Sequence, residues 1–256
     1  MIHYHGLPIL PTECANVVIK GGHAFVSVAY PKQLYLETEV CQSFAADNGA
    51  FSAWKSGKPI RDWNPYMKWI SNISKFPNFD FAVIPDKVDG GEEDNDDLII
   101  MWNEFFTSSI DQQKGAPVWH LHETLERLEK LICNHTRVCL GSSGDYKTIG
   151  TRLWWSRMIQ AFKIICGKDN LPKTKIHGLR MLDPKVFTFF PLSSADSTNI
   201  AISIGFDSKW QGTYTPMSKM ARAMVLRDRV ESQAGATHFS SRAVYSNQID
   251  IDNEGQ

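Results

Sequence analysis

Short apolar runs alternate along this chain with longer stretches of helical period. Ala24–Ala29, Ser43–Ala46, Phe79–Ile84, Pro117–Leu121, Arg137–Leu140, Lys175–Leu179 and Pro191–Ala195 read as strands, each too brief for a helix and bounded by turn-forming or polar residues. Asn64–Ile73, Glu92–Phe106, Glu123–Cys133 and Thr148–Ile165 read as helices, with a short turn from Pro184 to Phe189. In Glu123–Cys133 the residues Leu125, Leu128, Leu131 and Ile132 fall on one stripe. An amphipathic segment, Met217–Ser232, follows Thr215-Pro216. Strand–helix alternation repeated this often predicts a parallel sheet joined by right-handed crossovers. No internal repeat or low-complexity linker divides the chain, so one domain is expected over residues 1–256. Its tail, Ser246 to Gln256, carries Asp250, Asp252 and Glu254 with little to bury and is expected to be disordered.

An open doubly wound sheet would carry a GxGxxG after an early strand, and none is present. Polar groups instead follow nearly every strand: Asp47, Asp86, His120 and His122, Gly141–Gly144, His177 and Asp196. Chemistry drawn from the C-terminal ends of many strands belongs to the (β/α)8 TIM-type barrel, which is the fold predicted. Its eighth strand is expected at Asn199–Ile204, or else the barrel is irregular at its last strand.

Composition narrows the class. At 43% hydrophobic and 21% charged the chain is an ordinary globular sequence. It lacks any apolar run approaching the roughly 20 residues of a membrane span, and Met1–Pro11 lacks a charged-then-apolar leader. Five cysteines without a CxxC pair argue against a disulfide scaffold and a closed zinc site. A cytoplasmic protein with no membrane contact is expected.

The net charge of −1 conceals a segregation. Asp80 to Asp111 holds ten acids and one base, Lys87, whereas Gly141 to Lys185 holds nine bases and three acids. Lys209 to Arg242 adds six bases against Asp228 and Glu231. The basic half is either a solvated face or the footprint of a polyanion such as nucleic acid.

Three aspartates carry the candidate chemistry. Asp47 ends an apolar run and leads into Asn48-Gly49-Ala50-Phe51-Ser52, placing a carboxylate near a ring, as a site gripping a flat heterocycle would; an Asp-Asn-Gly turn with Phe51 in the core is the plain alternative. Asp86 follows Ile84-Pro85 and taken alone reads as a turn or capping residue. Asp196 lies among Ser193, Ser194, Ser197 and Thr198, whose hydroxyls can orient it. Paired carboxylates can divide nucleophilic and acid–base roles at a sugar's anomeric carbon.

The ordered series Asp47-Asn48-Gly49-Ala50-Phe51-Ser52, Ile84-Pro85-Asp86, Val118-Trp119-His120, Leu140-Gly141-Ser142-Ser143-Gly144, His177-Gly178-Leu179 and Asp196-Ser197-Thr198 resembles the tRNA-guanine transglycosylase superfamily. It is closest to the compact branch that inserts 7-deazaguanines into DNA in phages and some bacteria, with the likeness running from about Ala24 to Gly205. The resemblance implies exchange of guanine in DNA for a 7-deazaguanine, such as 7-cyano-7-deazaguanine, through an aspartyl–sugar intermediate and without a cofactor. Asp196 would be the nucleophile on C1′ and Asp47 the acid–base. Asp86 would read the Watson–Crick edge of the purine and Phe51 would stack on its face. His120 stands where the family often has a base-reading glutamine, Gly141 and Ser142 where backbone amides approach the base, and His177-Gly178 where a residue packs its other side. The family's late Cys-x-Cys-x-x-Cys…His zinc site is absent, since no cysteine follows Cys166. That departure favours DNA over tRNA and a monomer or weak oligomer.

Such an enzyme must take its target base out of the stack. Trp54, Trp63, Trp154 and Trp155 are candidates to line the site, against ordinary barrel–helix packing. Lys147, Arg152, Arg157, Lys175 and Arg180 are the candidates for phosphate contacts. Two other classes compete. His120-Leu121-His122 with His177 and Asp196 imitates the metal ligands of amidohydrolase barrels, although that pattern normally sits on a first strand. The other is a non-catalytic barrel that only binds nucleic acid or a deazapurine.

Overall fold

A computed structural model describes residues 1–30, 39–108, 112–205, 210 and 214–245. The tail expected to be disordered, 246–256, lies outside the described residues. Nine parallel strand segments make one sheet in the order β5-β4-β3-β2-β1-β9-β8-β7-β6. They are β1 (Ile2–Gly6), β2 (His23–Ser27), β3 (Ser43–Asp47), β4 (Phe79–Val83), β5 (Gly115–Ala116), β6 (Val118–His120), β7 (Arg137–Gly141), β8 (Lys175–Gly178) and β9 (Ser194–Ser197). The two ends of that order, β5 and β6, are separated only by Pro117, so the sheet curls into a nearly closed α/β barrel of the TIM type, as the alternation predicts.

The seam has a simple cause. Proline has no N–H, so a strand that meets one loses a rung of its ladder. Before Pro117 the chain pairs with β4: Lys114 O accepts from Ala82 N at 2.9 Å and Ala116 O from Ile84 N at 2.9 Å. From Pro117 onward it pairs with β7, beginning with Pro117 O, which accepts from Cys139 N at 2.8 Å. Counting β5 and β6 as one interrupted strand gives eight. The irregularity therefore lies in the middle of the chain and not at its last strand. The residues expected to supply an eighth strand form a helix instead, Asn199–Ser203. The missing strand is β1, which closes the other side by pairing with both β2 and β9.

The α-helices that lie wholly within the described residues are α1 (Thr12–Ile19), α2 (Ala50–Lys55), α3 (Asn64–Ile73), α4 (Glu92–Phe105), α5 (Leu125–Asn134), α6 (Arg152–Ile165), α7 (Pro184–Phe187), α8 (Asn199–Ser203) and α9 (Lys219–Glu231). Two start later than their hydrophobic pattern suggests because a threonine caps them. Thr124 Oγ1 accepts from Arg127 N at 3.2 Å and Thr151 Oγ1 from Trp154 N at 3.3 Å. Close packing of α4 on the seam explains Gly115, where a Cβ would stand 2.5 Å from Trp102 Nε1. Among the described residues no helix is long and apolar enough to cross a membrane.

Inside the barrel the side chains form tiers. Near the N-terminal ends of the strands Asp80 accepts from Tyr4 Oη at 2.6 Å and pairs with Arg137 at 2.9 Å. Above that plug Tyr4, Phe25, Phe81 and His177 pack ring on ring. The next tier toward the C-terminal ends holds the carboxylates described below.

The outer face of β1 meets the C-terminal end of α9. His3 Nδ1 and His5 Nε2 donate to the two oxygens of Glu231, the last residue of α9, at 3.1 and 2.8 Å. Burial pushes the Glu231 carboxyl up, but the two histidine bonds more than reverse this and hold it well below the usual carboxylate range. A carboxyl with a lowered folded pKa stabilises the fold above its unfolded pKa, and that stability is lost as pH falls through the folded value. Glu231→Gln is therefore expected to destabilise the protein at pH 7 by about 1 kcal/mol, the carboxylate being partly solvent-screened. The difference from the parent should shrink toward pH 3; urea denaturation at both pH values measures it.

Candidate active site

A cavity of about 500 Å³ opens at the C-terminal ends of the strands, within the range of small-molecule sites, roughly 300–1,000 Å³. Asp47, Asp86, His120 and Asp196 all line it, brought there from β3, the residues after β4, β6 and β9. Phe51, Gly141 and Ser142 line it as well. Strand-end placement thus brings together most of the residues singled out in the sequence.

Asp47 holds its proton far more tightly than a free carboxyl. Burial raises its pKa to about 7, helped by the neighbouring charges of Asp196 and then Asp86, against hydrogen bonds from the Ser27 hydroxyl and the Gly49 amide. A carboxyl balanced between its two forms at neutral pH can both give and take a proton. Ser27 owes its position to inward alternation along β2, two residues beyond Phe25.

Asp196 is buried and held from one side. Its Oδ1 accepts from the Arg180 backbone N–H at 2.9 Å and lies 3.3 Å from His177 Nε2. All of its described side-chain hydrogen bonds fall on Oδ1, which leaves Oδ2 for a ligand. His177 Nδ1 meets Ser194 Oγ at 2.9 Å, and burial lowers the pKa of the ring. A neutral ring that donates from Nε2 to a carboxylate must accept at Nδ1 from the serine. Arg180 adopts a left-handed backbone, φ 61°, a strained state for a residue with a Cβ and one typical of functional sites.

Asp86 and His120 form the opposite wall. Asn48 Nδ2 donates to Asp86 Oδ1 at 2.6 Å and to Ile84 O at 2.8 Å, fixing the carboxylate on the strand end. His120 Nε2 lies 2.9 Å from Asp86 Oδ2 but off hydrogen-bond alignment, and neither ring nitrogen has a hydrogen-bond partner among the described residues. The backbone of His120 is anchored by Glu123, whose Oε2 accepts from His120 N at 2.9 Å and from Arg127 Nη1 at 2.7 Å. Gly141 makes room for the ring: a Cβ there would stand 3.1 Å from His120 Nδ1.

Several expected roles do not fit these positions. His177 lies under the cavity, in the aromatic tier, and supports Asp196 without lining the pocket. Gly178 packs against Met181 and Leu192, where a Cβ would meet Met181 Cβ at 2.9 Å. Phe51 does not offer a bare ring, because the Arg180 guanidinium stacks 3.9 Å from its centroid. Arg180 is thus part of the pocket wall, further tied by Nη2 to Ser142 O at 3.0 Å. Arg157 is spent internally: it donates to Leu121 O, Glu123 O and Gln160 and lies over Trp119. Lys175 begins β8 and stands at the other end of the barrel, beside Asp80 and Arg137. Lys147, in the connection after β7, and Arg152, the first residue of α6, are exposed on the cavity side of the barrel. Trp63, Trp154 and Trp155 are core residues, although Trp154 Nε1 supports the pocket by donating to Ser142 Oγ at 2.9 Å. Trp54 is half-exposed beside Phe51.

The donor set of an amidohydrolase is not assembled either. His122 turns outward to Ser143 Oγ and Gly90 O, and His177 is engaged below the pocket. Among the described residues no three His, Cys, Asp or Glu side chains converge as metal ligands.

Asn48, Ser27, Glu123 and the wall role of Arg180 escape a strand-end reading. Alternation along β2 is a usable signal for Ser27; Glu123 gives none, since it reads as the first residue of a helix. No known family model matches the chain, and no curated protein matches it.

The raised pKa of Asp47 carries a stability consequence. A carboxyl whose folded pKa lies above its unfolded value weakens the fold progressively as pH rises from about 4 to 7. Asp47→Asn is expected to raise the thermal midpoint at pH 8 by several degrees and to leave it nearly unchanged at pH 4. Differential scanning calorimetry at the two pH values checks this; an equal shift at both would contradict the assigned cause.

Proposed function

We propose that this protein exchanges a purine at the anomeric carbon of a DNA nucleotide, replacing guanine with a 7-deazaguanine by double displacement. The observation that carries the reading is one cavity holding a buried, one-sidedly held aspartate, Asp196, and a second, Asp47, poised near neutrality by burial and by Asp196. The resemblance of the strand-end motifs supplies the identity of the bases and of the polymer.

In this scheme Oδ2 of Asp196 attacks C1′ as the C1′–N9 bond breaks, and protonated Asp47 gives its proton to the departing guanine. The sugar is then held as an ester of Asp196. The incoming deazaguanine loses its N9 proton to the Asp47 carboxylate and attacks C1′, and the ester bond breaks to restore Asp196. Protons and bonds balance over the two steps, and Asp47 ends as it began. Asp86, fixed by Asn48, accepts N–H groups from the edge of the purine, and the unpartnered nitrogens of His120 provide a further polar contact. The guanidinium–arene stack of Arg180 on Phe51 offers a flat surface at the rim.

The test is incubation with DNA and 7-cyano-7-deazaguanine followed by nucleoside mass spectrometry. The parent should yield the deazaguanine nucleoside and release guanine in equal amount. Asp196→Ala should lose several orders of magnitude in rate, since the covalent route is gone. Asp47→Ala should lose roughly a hundred- to ten-thousand-fold. Exchange by Asp196→Ala at near the parental rate would refute the scheme.

A further inference from the structure

A second cleft, of about 660 Å³, adjoins the first at the barrel mouth and is lined by Lys147, Trp155, Arg180, Asp183, Lys185 and Thr198 among others. Arg180 and Thr198 belong to both cavities, so they form the wall between them. The chain passes from one chamber into the other directly: Asp196 faces the first, Ser197 and Asn199 face the second, and Thr198 faces both. A ligand whose reacting carbon sits at Asp196 therefore has its nearest onward path into the second cleft.

The chemistry of that cleft suits an anion. Three cationic side chains, Lys147, Arg180 and Lys185, line it against one acid, Asp183. One oxygen of that acid is engaged in the fold: Asp183 Oδ1 accepts from the Lys185 backbone N–H at 2.9 Å as the cap of α7, and cations outnumber it three to one. Lys147 and Lys185 are both exposed, and no ion pair is described for either. Trp155, buried against Phe189 and Phe190, forms part of the wall, and its indole N–H has no acceptor among the described residues.

We infer that this second cleft is a phosphate seat, filled by the phosphodiester next to the nucleotide whose sugar lies at Asp196. The assignment of that neighbour rests on the base-exchange reading; the preference for a phosphate rests on the cleft itself. The same chemistry would take the phosphate of a free nucleotide, so the test distinguishes the two.

The double variant Lys147→Glu/Lys185→Glu is compared with the parent and with Lys168→Glu, a reversal in the connection between α6 and β8, at the far end of the barrel. Binding of a fluorescent single-stranded oligodeoxynucleotide is followed by anisotropy over a salt series. Competition by 2′-deoxyguanosine, 2′-deoxyguanosine 5′-monophosphate and inorganic phosphate is then measured. The double variant should bind about tenfold more weakly per lysine at 50 mM salt, and its salt slope should fall by about one per lost contact. Lys168→Glu should match the parent. The monophosphate should compete better than the nucleoside against the parent and lose that advantage in the double variant. Competition by the monophosphate as strong as by unlabelled oligonucleotide identifies a free nucleotide as the source; much stronger competition by the oligonucleotide identifies a strand. Both support the seat. Unchanged affinity and slope in the double variant, with its thermal midpoint preserved, would overturn it even where base exchange is observed. Failure of base exchange with these binding results intact would instead sink the exchange reading and leave the seat standing.

Discussion

Everything at the mouth depends on how the sheet closes. One short stretch, residues 114–120, must bond to β4 on one side and β7 on the other, and Pro117 divides it between them. Asp47 and Asp86 reach the cavity from the β1–β4 side of that seam, and Gly141 and Ser142 from the β6–β9 side. His120, at the end of β6, is the seam's own contribution. Were the sheet left open there, His120 and Asp86 would end on opposite edges instead of 2.9 Å apart.

Closure also gathers acids that repel one another. Asp47, Asp86 and Asp196 share a single pocket, and the fold answers each differently. Asp86 is tied to Asn48, Asp196 receives a backbone N–H and a histidine, and Asp47 answers by holding its proton to about pH 7. Two like carboxyls in different environments divide into a group that keeps its proton and a partner held by donors, the usual basis of acid–base assignments. Tuning of this kind costs stability, because the fold must hold Asp47 where its charged form is disfavoured.

The strand–helix rhythm and the polar residue after each strand are enough to predict a barrel whose strand-end polar residues gather around one cavity. Strand β1 was hidden because its outward residues, His3 and His5, look unsuited to a buried position. Their partner, Glu231, is more than two hundred residues away. The helical state of Asn199–Ser203 is hidden for a different reason: three apolar residues, Ile200 to Ile202, between polar ends have no period to distinguish a turn of helix from a strand. Charge was misread where it was counted without direction. Arg157 and Lys175 belong to the same basic stretch as Lys147, yet one is consumed by backbone carbonyls and another stands at the far end of its strand. Side-chain direction, which composition cannot carry, decides which of them a ligand meets.

The central claim is that Asp196 bonds covalently to a sugar carbon. Its most direct test is to incubate the protein with a short DNA duplex in the absence of incoming base, quench in acid, digest both components and map the product by tandem mass spectrometry. The account predicts a nucleotide-derived adduct on the peptide containing Asp196, with the mass of the nucleotide minus guanine, which disappears when a 7-deazaguanine is added before the quench. An adduct on Asp47 instead, or guanine release and exchange with no adduct at any aspartate, would contradict it.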